Sequence, residues 1–127
     1  MKKSALIIGI DPDFLDFTSK EFAAFPDISA DKIRAGLNGS AQQLVDLGFD
    51  AEICWIDLGE TAQTSVKESL QKKRFDVVMV GAGIRVPESN FTLFENLLNT
   101  IIATSPTSKI AFNKNPQDTA DAVKRWI

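Results

Sequence analysis

Two stretches of the chain are apolar without interruption. One is Leu6-Ile7-Ile8 within Ser4 to Ile10, and the other is Val77-Val78-Met79-Val80 within Phe75 to Arg85. Runs of this kind, bounded by glycine and polar residues, predict strands buried on both faces, as in the middle of a parallel sheet. Asp50 to Asp57 and Lys109 to Phe112 are more mixed and predict two further strands. Between the strands, apolar residues recur at helical spacing. Ile33, Leu37, Ala41, Leu44 and Val45 form one stripe of a helix that starts at the N-cap Ser29, runs to about Leu47 and stops at Gly48. Ala62, Val66 and Leu70 define a second helix, capped by Thr61 and running to about Lys73. A third runs from about Pro87 or Ser89 to Thr104. Its apolar set, Phe91, Leu93, Phe94, Leu97, Leu98, Ile101 and Ile102, is wider than one stripe and calls for cover on more than one side. Asn115 and Pro116 read as cap and first residue of a terminal helix, with Ala120, Val123, Trp126 and Ile127 as its buried side.

Strand and helix alternate four times, which predicts an α/β fold: a four-stranded parallel sheet with helices on both faces. Right-handed crossovers, with the two most apolar strands in the middle, give the order 2-1-3-4 of a flavodoxin-like or Rossmann-like three-layer sandwich. The whole of 1–127 reads as a single domain. It carries one unusual feature, an insertion at about 13–28 that holds Phe14, Phe17, Phe22 and Phe25 of the nine phenylalanines. So much apolar area argues for an ordered flap, with a short helix near Thr18 to Ala24, serving either as core cover or as the lid of a ligand pocket. Gly36 and Gly39 inside the first helix each cost about 1 kcal/mol relative to alanine, which predicts close approach of that helix to the sheet or, as the alternative, a kink or break near Asn38-Gly39.

Composition removes several functions. The net charge of −3 does not suit a protein that neutralises nucleic-acid phosphates, and Lys72-Lys73-Arg74 closes a helix whose dipole it complements. Lys2 and Lys3 followed by Ala5 to Ile10 imitate a signal peptide, but Asp11 and Pro12 end the run too early; with no membrane-length stretch, a cytoplasmic location is expected. Cys54 lies within a strand and reads as an inert buried thiol. The chain has no histidine and no tyrosine, so imidazole-based nucleophile systems and histidine metal sites are excluded.

At the carboxyl ends of the strands the sequence gathers Gly9, Asp11 and Asp13, then Asp57, then Gly81, Gly83 and Arg85, and last Asn113, Lys114 and Asn115. Ligands of open α/β sheets bind there, where the strand order reverses. Gly81, Gly83, Arg85, Asn113 and Asn115 are the candidate ligand contacts. Each also has a structural reading: the glycines as a tight turn, Arg85 as partner of Asp11 or Glu88, and the asparagines as turn and cap residues. The Gly81-Ala82-Gly83 run lacks the third glycine of a dinucleotide fingerprint. Asp11 and Asp13 are the candidate catalytic carboxylates. No metal site is assigned, although magnesium held by Asp11, Asp13 and Asp57 is a weaker alternative, and no cofactor is assigned.

Asp11-Pro12-Asp13 resembles the opening motif of haloacid-dehalogenase-type phosphohydrolases. That family also needs a late carboxylate pair, and here the fourth strand ends in Asn113, Lys114 and Asn115. Response-regulator receivers are similar in their early acidic pair, but Gly81 stands where their phosphate-accepting aspartate would be. A strand entering G-A-G-x-R and a later F-N-x-N-P is similar to small uncharacterised bacterial α/β proteins, a resemblance that spans most of the chain and implies no activity. The leading reading is therefore a domain that binds a small anionic metabolite at the strand ends. The alternatives are magnesium-dependent phosphotransfer or hydrolysis through Asp11 and Asp13, and a non-catalytic module forming a homodimer through the Phe91–Ile102 helix. No nucleic-acid or membrane partner is expected.

Overall fold

The computed structural model describes residues 2–23 and 27–127. Its sheet has the order expected from the alternation of elements. β1 (Ser4–Ile10) lies between β2 (Asp50–Ile56) and β3 (Val77–Val80), and β4 (Lys109–Phe112) pairs with the other side of β3, all in parallel. Ile7 stands opposite both Ile53 and Met79, which fixes the register at the centre. Every residue of β1 and β3 is buried, as their unbroken apolar runs require.

Alternation along the strands divides the core in two. Leu6, Ile8, Val78 and Val80 meet Val66 and Leu70 of α2 (Ala62–Lys72) and Leu97 and Ile101 of α4 (Phe91–Thr104). Ala5, Ile7, Val77 and Met79 meet Leu37 and Leu44 of α1 (Ala30–Asp46) and Ala120 and Val123 of α5 (Thr119–Lys124). Each fully buried aliphatic side chain contributes about 1.5–3 kcal/mol. The result is three layers.

The helix starts follow local chemistry. Ser29 Oγ accepts the Lys32 N–H at 3.2 Å, as an N-cap should. Asn115 and Asp118 form a reciprocal capping box ahead of α5. Thr61 departs from expectation: its hydroxyl donates to Asp57 instead of capping α2, and the Asp57 carboxylate takes the Thr61 N–H at 2.9 Å. The expected glycine turn after β3 is a one-turn helix, α3 (Ala82–Arg85), followed by a 3-10 turn at Glu88–Asn90.

α1 runs unbroken through both of its glycines, but the close approach is not to the sheet. A side chain at 36 would lie 2.5 Å from Pro116 Cβ, so Gly36 makes room for the start of the C-terminal segment; at Gly39 the space is open. Trp126 and Ile127 are likewise not on the buried side of the terminal helix. They are 52% and 38% exposed, whereas Ala120 and Val123 are buried.

The insertion contains 3-10 turns at Pro12–Phe14 and Lys20–Phe22 rather than a helix over Thr18 to Ala24. Ala24, Phe25 and Pro26 lie outside the described residues. Phe17 and Phe22 stack at 4.9 Å between ring centroids, and Leu15, Phe17 and Ile28 pack on the α1 side of the core. On α4, Leu93, Leu97 and Ile101 are buried and Phe94 meets Phe112 at 5.8 Å, while Phe91 and Ile102 are 62% and 57% exposed. Among the described residues no helix is long and apolar enough to cross a membrane.

Candidate functional site

Gly81 ends β3 where the strand order reverses. Its N–H bonds the Ile8 carbonyl at 2.9 Å, and a side chain at 81 would stand 3.0 Å from that oxygen. A side chain there would be tight against β1, and glycine lets the backbone leave β3 without that crowding. The chain then winds into α3, and the gap between the ends of β1 and β3 becomes a cavity of about 120 Å³. Gly9, Ile10 and Gly81 form its floor. Ile33 and Leu37 of α1, Ala82 and Gly83 of α3, and Leu15, Phe22 and Ile28 of the insertion line it further, and the exposed Lys114 and Asn115 stand at its mouth. The lining is predominantly apolar. The insertion is therefore a pocket wall as well as core cover.

Gly81, Gly83, Asn113 and Asn115 all line this cavity, and Arg85 does not. Arg85 is exposed, bonds the Asn113 carbonyl from Nη2 at 2.9 Å and stacks over the Phe112 ring. Among the described residues it pairs with neither Asp11 nor Glu88. Asn113 is 2% exposed. Its Oδ1 accepts the Ala82 N–H at 2.7 Å, and its Nδ2 donates to Thr119 Oγ1 at 2.9 Å. Asn115 Oδ1 accepts the Gln117 and Asp118 N–H groups, and its Nδ2 has no partner among the described residues. G-A-G-x-R and F-N-x-N-P are thus two parts of one bonded unit.

Asp11 and Asp13 stand at the edge of this region, both tied to Arg34. Arg34 Nη2 is 3.0 Å from Asp11 Oδ1 and 2.7 Å from Asp13 Oδ1. The Asp13 hydrogen bond, with its charge and that of Asp11, holds the guanidinium pKa above its ordinary value. Asp57 is kept below the usual carboxylate range by the Thr61 hydroxyl and the Gly59 N–H. No cluster of three metal-ligating side chains occurs among the described residues. The basic triplet is largely occupied: Lys73 pairs with Asp50 and Glu52, and Arg74 with Asp76 at 2.8 Å. Burial raises the pKa of the free Cys54 thiol.

Among the described lining residues no nucleophilic side chain stands beside a base. Reading strand ends alone missed Ile33, Leu37 and Arg34. Ile33 and Leu37 lie one helical turn apart in the stripe that also feeds the core, so nothing local separates pocket wall from core, while Arg34 lies beside that stripe, outside the cavity lining, on Asp11 and Asp13. The fold and site define an open α/β three-layer sandwich with a pocket at the reversal of strand order. The chain matches no protein-family model, and no curated protein is significantly similar to it in sequence.

Proposed function

We propose that this domain binds a small molecule of mainly apolar body in the pocket at the ends of β1, β3 and β4. The observation that carries this reading is the cavity of about 120 Å³ at the strand-order reversal, walled by segments from across the chain. Its volume is well below the roughly 300 Å³ or more of drug-sized sites, which favours a compact ligand over a nucleotide. Arg85 and Asn113 hold α3 against β4, and of the two only Asn113 lines the cavity. Ala82→Leu places extra side-chain volume at the wall. Thermal unfolding measured against a panel of small aromatic and short aliphatic compounds tests the reading: the wild type is stabilised by members of the panel and Ala82→Leu is not. Stabilisation of neither protein, or of both equally, contradicts it.

A second reading, self-association through α4, is favoured by one observation. Phe91, Leu98 and Ile102 share one side of the helix, and the first and last are more than half exposed. Sedimentation at micromolar concentration separates the two, because a monomer that binds ligand leaves only the first.

A further inference from the structure

The hydrogen-bonding groups around the cavity are unequally used. Gly81 O accepts from Ile84 and Arg85, Ala82 O from Val86, Gly83 O from Asn90 Nδ2, Asn113 O from Arg85, and Pro116 O from Ser40 and Thr119. These acceptors of the wall are already satisfied within the protein. Among the described side chains at the mouth, what remains are donors. The exposed Lys114 ammonium has no ion-pair partner among the described residues, because the nearby Asp118 carboxylate accepts the main-chain N–H groups of Lys114 and Asn115. The Asn115 amide is oriented by its cap, with Oδ1 taken and Nδ2 free to donate. No carboxylate side chain lines the cavity.

Resting on the pocket reading above, the geometry points to a monocarboxylate as the ligand class: a compact apolar body in the cavity and a carboxylate at the mouth, held by Lys114 Nζ and Asn115 Nδ2. Side-chain donors at the mouth select an acceptor, and one ammonium without an ion-pair partner among the described residues selects a single negative charge. The apolar walls set the rest. A cavity of about 150 Å³ holds a benzene ring, so one of about 120 Å³ takes a body of roughly that size or a short branched chain.

Calorimetric titration with benzoate and hexanoate, against benzamide, hexanamide and inorganic phosphate, tests this. Each acid binds at least about tenfold more tightly than its amide, Lys114→Gln erases that ratio, and Lys114→Arg restores it. Lys114 is exposed, so unliganded Lys114→Gln keeps the wild-type unfolding transition, which is checked first. Acid and amide binding equally well, or a ratio that survives Lys114→Gln, overturns the carboxylate while amide binding that is lost in Ala82→Leu preserves the pocket. Phosphate binding as tightly as the acids also overturns it, since the apolar body would then be irrelevant. If neither acids nor amides bind, the inference and the pocket reading fall together.

Discussion

Asn113 accepts the Ala82 N–H on its side chain at 2.7 Å while Arg85, on the same turn of helix as Ala82, donates to the Asn113 carbonyl at 2.9 Å. One buried asparagine therefore holds both ends of α3 to the end of β4. It also reaches Thr119 at the start of α5, so three segments depend on one amide.

Asn113→Ala leaves the Ala82 N–H without its acceptor and is expected to destabilise the fold by about 1–3 kcal/mol in chemical denaturation. Arg85→Ala costs less, because the guanidinium is exposed and the Asn113 carbonyl is then open to water. Equal losses in the two variants would show that the asparagine is not the anchor.

The two glycines of α1 should respond in opposite directions to alanine. Gly39→Ala meets open space and stabilises by about 0.5–1 kcal/mol, the usual gain inside a helix. Gly36→Ala drives a methyl group against Pro116 and destabilises by about 1–3 kcal/mol through overpacking. Thermal unfolding of the pair decides it, and stabilisation by both substitutions would refute the contact.

Arg34 links α1 to Asp11 and Asp13 at the root of the insertion. Arg34→Met keeps the apolar stem and removes the link. Amide hydrogen exchange in residues 12–23 should then quicken while β1 and β3 stay protected. Unchanged exchange would mean that apolar packing alone holds the cover.

Acid should weaken the fold partly through Asp76. The Ser4 N–H and Arg74 hold its pKa below the ordinary value. The unfolded chain then binds the proton more readily, so this contribution is present above the unfolded pKa of about 3.9 and is lost as pH falls through the lower folded value. Asp76→Asn should lower stability at neutral pH and flatten the decline below about pH 4. A wild-type acid decline retained in full by the variant would assign it elsewhere, Asp57 being the next carboxylate lowered in the same way.

The fold was legible because its signals are local. Leu6 to Ile8 and Val77 to Val80 declare central strands, and Ser29 and Asn115 declare helix starts through side chains that bond their own neighbours. The position of the cavity agrees with topology, and Gly81, Gly83, Asn113 and Asn115 line it. What stayed hidden depends on partners far along the chain. Gly36 shows no preference for Pro116, eighty positions later, until the two elements dock. Nor could sequence decide that Arg85 would take a main-chain carbonyl while the Lys114 ammonium found no ion-pair partner among the described residues, since both are basic residues at strand ends.

The central claim is tested most directly by following backbone amide resonances of the wild-type domain during titration with benzoate. Saturable shifts are predicted at Gly81 to Gly83, Lys114, Asn115 and the cover around Leu15, Phe22 and Ile28, and they should vanish in Ala82→Leu. Shifts that never saturate, or that centre on Phe91 and Ile102 instead, would contradict a ligand pocket at the strand-order reversal.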